Sequence, residues 1–216
     1  MKNSIGCLIS IATFLSNMAQ AQAAEPWHHT PDLVVIGSKD DSRLSLVNEA
    51  VSFWNSSLQE IGSGFRLGTI RYIAHSVPED ALQSLSRTII GGLRGSLDIP
   101  QVIRTLPGDI TILLGESDFV SFTTPFFEPG PKRIVGIRGS NVPPLTLPNV
   151  ARNVITHELG HAIGLGHNSD PTKLMCGRPA PCRPNIFRSD EPRIFPLTDE
   201  EERQLLEMYP SSWKPS

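Results

Sequence analysis

Residues 157–167 read HELGHAIGLGH, and this is the most informative stretch of the chain. His157 and His161 are four residues apart, so on a helix both imidazoles project from one face and can share one metal ion. Glu158 is offset by one residue from the first imidazole, which suits it to hold a water molecule beside the ion rather than to bind the ion. The stretch therefore predicts a metal-binding helix with Glu158 as the general base.

His167 completes the predicted ligand set. It lies six residues beyond His161, so it can reach the same ion only if the chain turns back after about Ile163. Gly164 allows this turn, because glycine readily enters the left-handed conformation that ends many helices. Three neutral imidazoles with one open position are typical of a catalytic zinc ion, whereas a structural zinc ion has four protein ligands. We therefore expect one catalytic zinc ion, held by His157, His161 and His167.

The same residues resemble the metzincin signature H-E-x-x-H-x-x-G-x-x-H. Met175 follows the third His at a spacing similar to that of the matrixin branch, so the resemblance points to a bacterial, matrixin-like metzincin zinc metallopeptidase. It implies an α+β fold, namely a metzincin-like catalytic domain with a twisted mixed β-sheet, a zinc-binding active-site helix and a C-terminal helix. It also implies that Met175 lies in a turn beneath the metal, as a support and not as a ligand.

The chain departs from the matrixin pattern at three points. No Cys lies between the predicted leader, described below, and the motif, so latency through a Cys that blocks the zinc ion is not expected. No His lies between Ser76 and Thr156, so the second, structural zinc ion of vertebrate-type matrixins should be missing. Asn168 stands where matrixins usually have Ser. Calcium sites in the family depend on loop carboxylates that the sequence does not assign.

The ligand set predicts a zinc-dependent endopeptidase that acts on a protein or peptide substrate. Zinc lowers the pKa of its bound water to about 7, and Glu158 takes the proton of that water as it attacks the peptide carbonyl. Glu158 then passes the proton to the leaving amine. The alternative from a different class is a catalytically inactive zinc-containing binding protein with the same fold. The presence of Glu158 favours the enzyme, because a degenerate site is expected to lose its base first.

Residues 1–23 have the pattern of a secretory signal peptide. Lys2 precedes an apolar run over residues 5–15, and small residues occupy the cleavage position at residues 21–23. That run is too short to span a bilayer, and no later segment is long and apolar enough to do so. We expect a single metallopeptidase catalytic domain over residues 24–216, secreted or periplasmic, with an uncleaved anchor as the alternative. The net charge of −3 does not suggest nucleic acid as a partner. The oligomeric state stays open.

Two cysteines follow the motif, Cys176 and Cys182. In an exported protein this pair is expected to form a disulfide, with two free thiols as the alternative. A second zinc site on the pair is less favoured, because no His lies between the two or just after them. Arg178, Arg183 and Arg188 could border the pocket for the primed side of a substrate, although a solvated loop is the favoured interpretation.

Hydrophobic periodicity and turn residues predict the other elements. Strands are predicted over residues 32–37, 65–73, 109–114 and 133–138, with a possible edge strand over residues 119–124. Helices are predicted over residues 44–61, from a capping box at residues 76–79 to Gly91, over residues 148–163, and from a capping box at residues 198–201 to about Tyr209. The Pro- and Arg-rich residues 176–196 are predicted to be loop.

Overall fold

The computed structural model describes residues 25–92, 97–127, 130–177, 189 and 191–216. This part of the chain contains a five-stranded mixed sheet and five helices, which confirms the α+β class. The strands are β1 (Leu33–Gly37), β2 (Ile70–Ala74), β3 (Ile110–Leu114), β4 (Phe122–Thr123) and β5 (Arg133–Ile137). The helices are α1 (Arg43–Glu60), α2 (Glu79–Ile90), α3 (Gln101–Arg104), α4 (Pro148–Ala162) and α5 (Asp199–Met208).

The strand order in the sheet is β2-β1-β3-β5-β4. The first four strands are parallel, and β4 pairs antiparallel with β5 at one edge. Every residue of β1, β3 and β5 is buried, as expected for parallel strands that are covered on both faces. Among the described residues, the one antiparallel strand is β4, which lies at a sheet edge within residues 119–124, predicted as a possible edge strand.

Helices cover both faces of the sheet, and alternate strand residues face one layer or the other. Leu33 and Val35 of β1 belong to a core shared with α1, α4 and α5, whereas Val34 and Ile36 belong to a core shared with α2 and α3. Trp54 of α1 is fully buried, and its indole N–H donates to the Thr156 carbonyl of α4 at 2.9 Å. Helix α1 therefore fixes α4, the helix of the predicted metal site.

The second predicted strand is wrong in its first half. Residues 65–69 are not strand, and β2 begins only at Ile70. Phe65 instead stacks on Tyr209 with ring centroids 4.1 Å apart, and the Leu67 backbone N–H donates to the Asn55 side chain at 2.8 Å. The apolar residues that suggested a strand are thus buried by side-chain contacts from distant segments.

One predicted capping box is wrong, and the other is confirmed. The N-cap of α2 is Pro78, which accepts no side-chain hydrogen bond, and Glu79 instead accepts hydrogen bonds from the backbone N–H groups of Glu116 and Ser117. At the start of α5, Thr198 and Glu201 form the reciprocal capping box that the sequence predicts. The short helix α3 was not predicted, because four residues are too few to show a helical period.

The N-terminal 23 residues, the predicted signal peptide, lie outside the described residues, as do Cys182 and the three Arg of the predicted loop. Among the helices in the described ranges, none has the length and apolar character needed to cross a membrane.

Candidate metal centre

Helix α4 begins and ends where its sequence favours a boundary. Pro148 occupies the first helical position, where its missing N–H costs nothing. At the other end, the N–H of Gly164 donates to the His161 carbonyl at 3.1 Å, and the N–H of Leu165 donates to the Gly160 carbonyl at 3.0 Å. With φ of +109° at Gly164, these two bonds form a Schellman motif, which reverses the chain as predicted.

The reversal brings the three predicted ligands together. The Nε2 atom of His167 lies 3.2 Å from Nε2 of His157 and 2.9 Å from Nε2 of His161. In a tetrahedral zinc site with ligand bonds of 2.0–2.1 Å, two ligand nitrogens lie about 3.3 Å apart. The three side chains therefore form a cluster with the spacing of a single zinc ion's ligands.

The contacts of the other ring nitrogens show which nitrogen of each ring faces the cluster. Nδ1 of His157 lies 2.8 Å from the Leu174 carbonyl, and Nδ1 of His161 lies 2.8 Å from the Leu165 carbonyl. A carbonyl only accepts, so Nδ1 carries the proton in both rings and Nε2 presents a lone pair to the cluster. These carbonyls also fix the orientation of the two rings.

Electrostatics also favour the neutral form of His161. Burial lowers its pKa to about 4, and the neighbouring imidazole of His167 adds to that effect. A neutral imidazole with a free Nε2 is the form that binds zinc. The chemistry of the donor set thus fits a zinc ion.

Met175 packs against the helix that carries the first two ligands. A Cβ atom at Gly160 would lie 2.5 Å from the Met175 sulfur and 2.8 Å from a ring carbon of Trp54. Glycine at this position is therefore required by the packing of these two side chains, both of which are fully buried. Because Gly160 lies between His157 and His161 in sequence, Met175 supports the segment between the two ligands.

Glu158, the predicted base, is 7% exposed. The hydroxyl of Thr123 on β4 lies 2.9 Å from its carboxylate oxygen Oε2 and 2.8 Å from its backbone carbonyl. The edge strand therefore holds the predicted base in place. Sequence analysis missed Thr123, since the pattern that predicts an edge strand does not say which other segment its side chains contact.

The end of α4 is fastened by side chains from distant parts of the chain. Arg133 donates a hydrogen bond to the His161 carbonyl, and the Trp27 indole N–H donates to the Ala162 carbonyl at 2.8 Å. The Tyr209 hydroxyl donates to the carbonyl of the next residue, Ile163, at 2.9 Å. Burial lowers the pKa of Arg133 to about 10, so its guanidinium stays charged at neutral pH and complements the negative end of the helix dipole. None of these contacts was predicted from the sequence.

Cys176 is buried, and its sulfur lies 3.4 Å from the Gly177 carbonyl oxygen. Its predicted disulfide partner, Cys182, lies outside the described residues. The structure therefore does not support the disulfide, which stays a prediction.

Taken together, three imidazole donors form a candidate metal site on an α+β domain. No family model matches the chain. Among solved structures, the chain is similar to the crystal structure of archaemetzincin from Methanopyrus kandleri, with a TM-score of 0.47 and 20% sequence identity. The match covers 84% of this chain and 96% of that one.

Proposed function

We propose that this chain is a zinc-dependent endopeptidase of the matrixin-like metzincin type. The observation that carries the proposal is the convergence of three Nε2 atoms, from His157, His161 and His167, with the buried Glu158 directly after the first of them in sequence. The HExxHxxGxxH spacing and the position of Met175 against Gly160 support the metzincin assignment. The substrate is a protein or peptide.

Each residue of the site has a distinct task. The three imidazoles would hold zinc, which when bound would supply a Lewis acid and make a nearby water molecule more acidic. Glu158 accepts a proton from the attacking water at its carboxylate and delivers it to the nitrogen of the leaving amine. Thr123 lies within hydrogen-bonding distance of Oε2 of that carboxylate and so limits its rotation. The Leu174 and Leu165 carbonyls keep His157 and His161 in the ligating orientation.

The peptidase is tested with a peptide that is blocked at both termini and carries an internal cleavage site, alongside a denatured protein substrate. Wild type should cleave both, because an endopeptidase needs no free terminus. Glu158→Gln should keep its zinc and its fold but lose cleavage, since the amide retains the shape of the carboxylate but does not accept the proton. Glu202→Gln, at an exposed position of α5, is the matched control and should cleave like wild type.

The outcomes separate the candidate functions. Equal cleavage by wild type and Glu158→Gln at equal zinc content would show that Glu158 is not the base. Cleavage of peptides with a free N-terminus only would make the enzyme an aminopeptidase. If zinc-loaded wild type cleaves nothing across a broad library, the inactive zinc-containing binding protein is the better account.

We also propose that residues 1–23 are removed on export, which leaves a secreted or periplasmic domain over residues 24–216. The small residues at positions 21–23 and the apolar run before them support this proposal. N-terminal sequencing of the exported protein should begin at Ala24. Recovery of the full chain in the membrane fraction would instead support the uncleaved anchor.

A further inference from the structure

The third ligand is carried differently from the first two. His157 and His161 lie on α4, whose packing fixes them, whereas His167 follows the helix on irregular chain and its side chain is exposed. A ligand on such a segment reaches the metal reproducibly only if the segment itself is fastened. The fastening must come from residues next to His167.

Asn168, directly after this ligand, fastens the segment through its backbone. Its N–H donates to the Met175 carbonyl at 2.9 Å, and its carbonyl accepts from the Gly177 N–H at 3.0 Å. These bonds join the segment of the third ligand to the turn that carries Met175. The same turn supplies the Leu174 carbonyl that orients His157.

The side chain of Asn168 reaches further, to the C-terminal helix. Its amide N–H donates to Oε1 of Glu201 at 2.5 Å, and its Oδ1 accepts from the Asp170 N–H at 2.8 Å. Glu201 is 4% exposed, and its second oxygen, Oε2, accepts from the Thr198 N–H at 2.8 Å. Both oxygens of a buried carboxylate are thus engaged, one in the cap of α5 and one in the link to the metal centre.

We propose that Asn168 and Glu201 are positioning residues for the metal centre. Their hydrogen bond ties the chain that carries His167 to α5, so that the third imidazole is held near its ligating position before the ion binds. A Ser side chain ends at its γ atom, one bond short of the Asn amide nitrogen, and so does not span the gap to Glu201. This inference rests on the zinc site of the proposed function but not on peptide cleavage.

The two tasks of Glu201 can be separated by substitution. In Glu201→Gln the single amide oxygen can still accept from the Thr198 N–H, but the amide nitrogen then faces the amide of Asn168, and two donors cannot bond. In the Asn168→Asp/Glu201→Gln double variant, the Gln amide donates to the carboxylate at position 168. The hydrogen bond therefore forms again with donor and acceptor exchanged between the two positions, and the net charge is the same as in wild type.

Zinc affinity of the purified protein, measured by competition with a chelator, is the primary readout. Asn168→Ser and Glu201→Gln should each weaken zinc binding about tenfold, the lower end of the effect of residues that orient metal ligands. The double swap should return to within about threefold of wild type if the orientation of His167 is what was lost. The visible absorption of the Co²⁺-substituted protein, which reports ligand geometry, should change in the single variants and recover in the swap.

Two controls exclude indirect effects. Glu202→Gln removes the same charge from an exposed position in the same helical turn and should bind zinc like wild type. Thr198→Ala removes the oxygen that caps α5 but leaves the link to Asn168, so it should lower thermal stability without weakening zinc binding.

The proposal is overturned if the single variants bind zinc as tightly as wild type, or if the swap is no tighter than Glu201→Gln alone. A wild type that binds no zinc overturns both this inference and the proposed function. A wild type that binds zinc with the expected pattern among variants, yet cleaves no peptide, overturns the peptidase alone.

Discussion

Helix α4 and the segment after it, residues 164–177, supply ligands to the same cluster by different physical means. On α4, the positions of His157 and His161 follow from helix geometry alone, because residues four apart share a face. Beyond the helix, Asn168, directly after His167, donates through its backbone N–H to the Met175 carbonyl and through its side chain to Glu201 of α5. Local spacing is thus sufficient for two of the three His residues, whereas the segment of the third is joined to distant parts of the chain.

The largest effect on the metal centre is expected when a ligand is removed from α4. His161→Ala should purify without zinc, since two imidazoles and water hold the ion far more weakly than three imidazoles. Metal analysis after dialysis is the measurement, and His75→Ala, at an exposed His outside the cluster, should keep one zinc ion per chain. Full zinc content in His161→Ala would remove this side chain from the ligand set.

A methyl group on α4 tests the packing between the two regions. Gly160→Ala should destabilise the protein by about 3 kcal/mol, because the new Cβ would lie too close to the buried Met175 and Trp54. Gly166→Ala is the matched control, as a Cβ there meets nothing within 4 Å. Chemical denaturation measures both. Equal stability of the two variants would mean that Met175 does not pack against α4.

Acid should lower the free energy of unfolding of the metal-free protein, because His161 takes up a proton on unfolding. Its pKa is lowered to about 4 from 6.5, so the unfolded chain binds a proton below pH 6.5 that the folded chain does not bind until about pH 4. The free energy of unfolding should therefore fall as pH decreases from about 6.5 to about 4, by at most about 3 kcal/mol. Denaturation of wild type and His161→Gln across this range is the check. An identical pH dependence in both would exclude His161 as the cause.

The smallest effect on stability is expected from removing one hydrogen bond at the C-terminal end of α4. Tyr209→Phe removes the hydroxyl that donates to the Ile163 carbonyl and accepts from the backbone N–H of Trp27. The substitution should lower the free energy of unfolding by about 2 kcal/mol. Tyr72→Phe, which alters the other, exposed tyrosine of the chain, should cost little. Equal melting temperatures for the two variants would mean that the Tyr209 hydroxyl does not stabilise the helix end.

The sequence predicts elements whose signal is local. Helices α1 and α4 occur where the apolar pattern and the His spacing predict them, and the turn at Gly164 follows from its missing side chain. Two similar patterns nevertheless diverge. Glu79 and Glu201 both occur three residues after a hydroxyl residue, yet only Glu201 forms a capping box. Glu79 is drawn to backbone N–H groups after β3, and no local pattern contains that partner.

The unpredicted part of the site consists of contacts between residues far apart in sequence. The Trp27 indole is 135 residues from Ala162, Thr123 is 35 residues from Glu158, and Glu201 is 33 residues from Asn168. Periodicity does not encode such pairs, because each depends on how whole elements pack. Asn168 is recognisable in the sequence as a departure from the matrixin pattern, but the sequence does not show that its partner is Glu201.

We propose that one zinc ion held by the three His residues makes this chain a peptidase. It is tested most directly by adding zinc in steps to the metal-free protein and measuring cleavage of a doubly blocked peptide after each step. We expect no cleavage without metal and a linear rise that levels off at one zinc ion per chain. Full cleavage by metal-free protein, or saturation with zinc and no cleavage at any ratio, would contradict it.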